Sequence, residues 1–312
     1  MKKLRFVVSL TTLDNDYQLI QASTAEDAAR RLDVEVEIIN AENDAITQSQ
    51  QLLRIIQSRS NSLPDGIILE PAGGTPLPQV ARAAAAAGIG WVVLNRDADY
   101  VGDLRTAYHV PVCAITSDHE QIGRIQGRQI AALLPKGGSV LYIEGPSQSL
   151  AAKQRTTGMH QARPGNVQVK VVRGQWTEES AHRAISSWLR LSTSQESLVD
   201  VVAAQDDSMA VGAKKAFQEV ADRTQRDRWL NLPFLGCDGV PATGQTWVRN
   251  GLLSATIIIP ANTDLALEML TKAVRSASMP PERTLTTAVS FPAIEALSAA
   301  HAAKARALAA FR

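Results

Sequence analysis

The sequence predicts an α/β fold made of two doubly wound parallel-sheet lobes. Three observations predict it. Short apolar runs alternate with longer helix-like stretches, the alternation restarts midway along the chain, and each apolar run ends in polar side chains. A length of 312 residues suits two domains better than one. Plentiful aliphatic residues and few aromatics fit strands buried on both faces.

In the first lobe, residues 4–10 read as a strand, followed by a polar loop to Tyr17 and an Ala-rich helix to about Leu32. Residues 34–39 form the second strand. A helix over 48–57 carries an apolar face of Leu52, Leu53, Ile55 and Ile56. The turn PDG at 64–66 precedes a strand over 67–69, and a helix over 77–87 stops at Gly88 before a strand over 91–94. The pattern restarts after a joint near Ile115 and Thr116. Strands over 140–143, 167–172, 199–204 and 234–236 alternate with helices over 149–162, 178–191 and 209–220. An Ala-rich tail follows Phe291, with no short-period repeat.

Several function classes are excluded as expectations. A net charge of +1 points neither to nucleic acid nor to an acidic membrane, and no apolar run has the length of a membrane span. Lys2 and Lys3 resemble the start of a signal peptide, but Arg5 interrupts the apolar stretch and 11–16 is polar without a small-residue cleavage site, so 4–10 is read as a strand. The expected location is periplasmic if an export signal was removed from this sequence, and cytoplasmic otherwise. Cys113 and Cys237 sit in apolar, strand-like surroundings and are expected to be buried free thiols. No GxGxxG follows a strand, there is no Gly-Lys-Ser/Thr phosphate loop, and Gly145-Pro146-Ser147 is not a nucleophile turn. The five histidines have no metal-ligand spacing. No catalytic residue, metal or cofactor is expected, and the chain is read as not an enzyme.

Ligands of open parallel sheets bind beyond the carboxyl ends of the strands, where loops and helix N-termini converge. In the first lobe those ends carry Asn15, Asp16 and Tyr17, then Glu70, then Asn95, Arg96 and Asp97. In the second they carry Glu144, then Gln205, Asp206 and Asp207, then Asp238. Carboxylates accept, guanidinium donates in a planar fork and amides do both, which suits a polyhydroxylated ligand. Tyr17 and Trp176 lie in polar loops from which a ring can cover the C–H face of a sugar. Taken singly, each of these residues is as well explained by a helix cap or a turn.

These segments resemble the type I periplasmic sugar-binding proteins, and among them the ribose-binding-like receptors of ABC transporters. The resemblance is carried by LPDGIILEP at 63–71, AGIGWVVLNRD at 87–97, TSDHEQIG at 116–123, IEGP at 143–146 with QRTTG at 154–158, AQDDSMAVGA at 204–213, GCDG at 236–239 and LSATI at 253–257. It implies a three-crossing hinge near 115–116, 259–260 and 288–289. The lobes are then 1–115 plus 260–288 and 116–259 plus 289–312, with the apolar run 286–291 returning the chain to the second lobe. It also implies ligand contacts from Asn15, Tyr17, Arg96, Arg155, Trp176 and Asp238, to which the strand ends add Glu70, Asn95 and Asp206. Glu70 stands where the family has an amide, Asn95 replaces an aspartate, Asp206 an asparagine, Ile259 a hinge glutamine and Gln18 a second aromatic. These departures point away from ribose to a differently substituted sugar, a polyol, or a ligand with an amino group that Glu70 or Asp206 pairs.

The resemblance implies a monomeric receptor that closes on its ligand and presents it to an ABC transporter permease or a membrane sensor. The rival readings are a ligand-sensing domain of a regulatory or signalling system and a sugar-acting enzyme. The last helix, 293–312, with His301, Lys304, Arg306 and Arg312, is expected to pack on its own lobe, with partner docking as the alternative.

Overall fold

The computed structural model describes residues 3–58, 63–74, 76–191 and 198–310. The chain divides into two compact units: Met1–Ser117 with Pro260–Thr286, and Asp118–Ile259 with Thr287–Arg312. The first division falls two residues later than the joint expected at 115–116, and the third falls two residues earlier than expected at 288–289. Both shifts have one cause: strands run to the boundary on the side of the first unit.

In the first unit the elements are β1 (Arg5–Leu10), α1 (Asp16–Leu32), β2 (Glu35–Asn40), α2 (Ala45–Ile56), β3 (Gly66–Leu69), a 3-10 turn (Ala72–Gly74), α3 (Pro78–Ala86), β4 (Gly90–Leu94), α4 (Val101–Ala107) and β5 (Val112–Ser117). After the second division come α11 (Thr263–Ser276) and β11 (Arg283–Thr286). The sheet order is β11-β5-β4-β3-β1-β2, with every pair parallel. Strand residues alternate between two cores. Phe6, Val8, Leu10, Val92 and Leu94 pack with Leu267 and Leu270, while Val7, Trp91 and Val93 pack with Leu52, Val80 and Leu104. Burial on both faces is why these strands read as unbroken apolar runs.

The second unit holds α5 (His119–Leu133), β6 (Gly138–Glu144), α6 (Leu150–Ala162), β7 (Val167–Arg173), α7 (Glu178–Leu189), β8 (Val201–Ala204), α8 (Asp207–Gln218), α9 (Arg223–Leu230), β9 (Phe234–Leu235), α10 (Gly244–Arg249), β10 (Thr256–Ile258), β12 (Val289–Phe291) and α12 (Ile294–Ala310). Its parallel sheet runs β7-β6-β8-β9, and β10 pairs antiparallel with β12. Leu141, Ile143, Val202 and Ala204 face one core, and Val140, Tyr142, Val201 and Ala203 face the other.

Several expectations need correction. Helix α1 begins at Asp16, so Tyr17 lies in its first turn and not in a loop. The stretch around 115–116 is the fully buried strand β5. The run 286–291 is split between β11 of the first unit and β12 of the second. The last helix packs on its own unit, with Leu297 buried among Ile130, Leu133 and Leu134; Arg312 lies outside the described residues.

Candidate functional site

Both sheets switch direction at the same place. Strand β1 has β2 on one side and β3 on the other, and β6 likewise has β7 and β8. Connections therefore leave the central strand in opposite senses, which opens a crevice at the carboxyl tips of β1 and β3, and of β6 and β8. The expected site residues fall into these two clusters, one in each unit.

In the first unit the cluster centres on Glu70, 9% exposed, just beyond β3. Its carboxylate takes a hydrogen bond from Gln21 Nε2 at 3.4 Å, with the Asn95 and Gln18 side chains beside it. Gln21 has a fixed orientation, because its Oε1 accepts from the backbone N–H groups of Asn262 (2.8 Å) and Thr263 (3.2 Å). Asn95, in the left-handed region with φ 58°, accepts at Oδ1 from Asn262 Nδ2 (2.7 Å). The Tyr17 hydroxyl lies 3.1 Å from Pro260 O and 3.4 Å from Asn95 Oδ1. Asn15 is the N-cap of α1 and accepts from Gln18 N at 2.9 Å, so its amide oxygen serves the helix. Arg96 is half-buried beside Glu70. Asp97, on the same tip, instead holds β11 through a two-bond pair with Arg283.

Burial pushes the Glu70 carboxyl above the usual carboxylate range, against the opposing side chains of Asn95, Gln18 and Gln21 and the charge of Arg96. Burial also lowers the Arg96 guanidinium, with Glu70 opposing. A carboxyl raised on folding contributes stability that is complete below its unfolded pKa and is lost as pH rises through its folded pKa. Glu70→Gln, which keeps the neutral form, is therefore expected to raise the ligand-free melting temperature at about pH 8 and to leave it nearly unchanged at about pH 4. Thermal melts at the two pH values check this, and a lower melting temperature at the higher pH would contradict it.

In the second unit, Arg155 is 8% exposed on α6. One guanidinium nitrogen, Nη1, donates to Gln205 O, and the guanidinium carbon lies 5.5 Å from the centre of the Trp176 ring. The Gln205 side chain accepts from Gly145 N (2.9 Å) and donates to the Tyr142 hydroxyl, Ala152 O and Thr156 Oγ1 at 2.9–3.1 Å. Trp176 has φ 63° and Asp238 φ 111°, backbone conformations that cost roughly 1–3 kcal/mol each and cluster at binding sites. The Trp176 ring lies against Gly145, where a Cβ would come within 2.3 Å of the indole. Asp206 is the N-cap of α8 and accepts from Met209 N. Asp207 is a scaffold carboxylate, accepting from Gly239 N (2.8 Å) and Thr256 Oγ1 (2.6 Å).

Sequence reasoning missed Gln21 and Asn262 and read Gln18 only as a missing aromatic. Asp206 and Asn15 carry the capping role that was their alternative. Both cysteines are free and buried, and burial pushes the Cys113 thiol up to about 12. Among the described residues no group of three or more His, Cys, Asp or Glu side chains is placed to hold a metal.

A family profile described as the periplasmic binding protein domain matches residues 6–276. A D-ribose/D-allose-binding protein of Pseudomonas aeruginosa is 27% identical over 261 residues, covering 82% of this chain and 76% of its own. A solved ABC transporter solute-binding protein of Bacillus halodurans with bound myo-inositol matches with a TM-score of 0.76 at 22% identity, over 96% of this chain and 98% of its own. A Mycobacterium smegmatis protein solved with β-D-fucofuranose gives 0.78 at 21% identity, over 98% and 97%.

Proposed function

The chain belongs to the periplasmic binding protein family, whose members are solute-binding proteins and not enzymes, and from that premise we propose that it captures a monosaccharide or polyol and presents it to an ABC transporter in the periplasm. The observation that carries the reading is the repeated switch point. Both units set hydrogen-bonding side chains at equivalent strand tips: Glu70, Asn95 and Arg96 in one, Asp206 and Asp238 in the other, where helix α6 adds Arg155. Paired charged and amide groups with two accessory aromatics, Tyr17 and Trp176, match a ligand that has hydroxyls on its edge and C–H groups on its face. The names of its relatives, which include ribose and allose, support the class.

On this reading the ligand shifts an equilibrium towards a closed form because it binds that form more tightly; a solute with equal affinity for both forms shifts nothing. Saturation with ligand at about 100 times Kd is expected to stabilise the protein by about 2.7 kcal/mol, raising the melting temperature by several degrees. It is also expected to reduce the radius of gyration in small-angle scattering. Tight binding with no compaction would remove the closure mechanism, and a panel of monosaccharides and polyols none of which binds would remove the receptor reading.

A further inference from the structure

We propose that Asn262 is a positioning residue for the ligand: it sets the direction of the Asn95 amide at the tip of β4, and it is released to do so because Gln21 and Asp264 serve the helix that Asn262 begins. This rests on the receptor reading above. All the residues concerned belong to the first unit.

Helix α11 starts at Thr263, and Asn262 is its N-cap. An Asn at that position ordinarily turns its side-chain oxygen back to accept from the second or third helical N–H. Here Asn262 has φ −98° and ψ −4°, and its side chain makes no capping bond among the described residues. The opening N–H groups are met from elsewhere. Gln21 Oε1, on α1, accepts from Asn262 N (2.8 Å) and Thr263 N (3.2 Å). Asp264 Oδ1 accepts from Leu265 N (2.6 Å). Thr263 Oγ1 donates back to Gln21 O (2.6 Å), which fastens the start of α11 to α1.

The Asn262 side chain is fully buried and is directed to Asn95, 167 residues away in sequence: Nδ2 donates to Asn95 Oδ1 at 2.7 Å. Asn95 needs such a partner. Its backbone is set in the left-handed region, but the torsion that turns an Asn amide end for end is broad and roughly two-fold. Rotamer preference therefore does not choose between oxygen and NH2. The bond from Asn262 makes the choice, holding Oδ1 towards α11 and leaving the NH2 group for Glu70 and the ligand. NH2 can only donate and the oxygen can only accept, so a reversed amide would favour a different ligand group. The Tyr17 hydroxyl strengthens the arrangement, lying 3.1 Å from Pro260 O and 3.4 Å from the same Asn95 oxygen.

The test is calorimetric titration of the full-length protein with D-ribose, D-allose, D-galactose and myo-inositol, continued on variants with the tightest binder. Asn262→Ser installs a residue that caps as well as Asn but carries no amide. It is expected to keep the parent's circular dichroism and to lose affinity at least about fivefold. Asn262→Asp has the same shape and can only accept, so it turns the Asn95 amide round and is expected to lose at least as much. In an Asn95→Ala background there is no amide to direct, and Asn262→Ser is expected to change affinity less than about twofold. A merely structural Asn262 would lower affinity by the same factor in both backgrounds, and that result overturns the positioning role. Either Asn262 variant binding within about twofold of the parent overturns it as well, by the same comparison. Should Asn95→Ala bind too weakly to titrate, the two Asn262 variants decide alone. A parent that binds none of the four solutes overturns the receptor reading, and the positioning role with it.

Discussion

Replacing Gly158 with alanine is expected to destabilise the second unit by more than about 3 kcal/mol, at the upper end of overpacking costs. Helices α5 and α6 cross at glycines. A Cβ on Gly158 would lie 1.9 Å from Glu120 O and 2.9 Å from Arg124 N, and one on Gly123 would lie 2.0 Å from Arg155 O. These neighbours are backbone atoms, so no side-chain rotation relieves the overlap and the helices must separate. Alanine's better helix propensity returns only about 1 kcal/mol, so packing sets the sign. At about 2–4 °C per kcal/mol for a unit of this size, the melting temperature should fall by more than about 6 °C. Calorimetric melts of Gly158→Ala check this against Gly165→Ala, where a Cβ meets nothing within 4 Å. A Gly158→Ala protein that melts with the parent would mean that the crossing is not close. Because Arg155 rides on the same helix, ligand affinity should fall as well.

That crossing also marks where the sequence stopped being legible. Strands such as β4 and β6 are readable because both faces are buried and nothing polar interrupts them. Strand β5 is equally buried, yet it ends in Thr116 and Ser117, so it resembles a joint. Helix α5 hides behind two glycines needed for close approach and behind Gln126 and Gln129. These are buried polar residues whose amides donate to Ala204 O and Thr256 O. Period-based reading sees only the apolar signal, and here the helix is held partly by polar bonds.

The candidate site divides in the same way. Glu70, Asn95, Arg96 and Asp238 follow from the rule that polar residues at strand tips meet ligand, since each directly follows a strand or its short extension. Gln21 and Asn262 do not. Gln21 lies in the second turn of α1, and Asn262 reaches it from 241 residues away, beyond the second chain crossing. Nothing local to either residue announces that contact. Asn15 and Asp206 show the converse, because a polar residue between a strand and a helix has the same signature whether it caps or binds.

Arg155→Ala is expected to weaken ligand binding at least about 30-fold. One charge-assisted hydrogen bond contributes roughly 1.5–3 kcal/mol, or about one to two powers of ten. Trp176 loses its cation–π partner at the same time, worth about 0.5–2 kcal/mol. The guanidinium is held before any ligand arrives, by Gln205 O on one side and the Trp176 ring on the other. Gln205 is fixed in turn through Gly145 N, Tyr142, Ala152 and Thr156. A preset donor costs little ordering entropy on binding, which is why its loss should be felt nearly in full. Arg155→Lys separates charge from shape: it keeps the positive charge but loses the planar fork and the flat face over the indole. If the fork matters, lysine recovers less than a tenth of the lost affinity; if charge alone matters, it recovers most of it. Titration of both variants, with circular dichroism to establish the native fold, reads the difference. An alanine variant that binds as tightly as the parent would place the ligand elsewhere and remove Trp176 and Asp238 from the site along with Arg155.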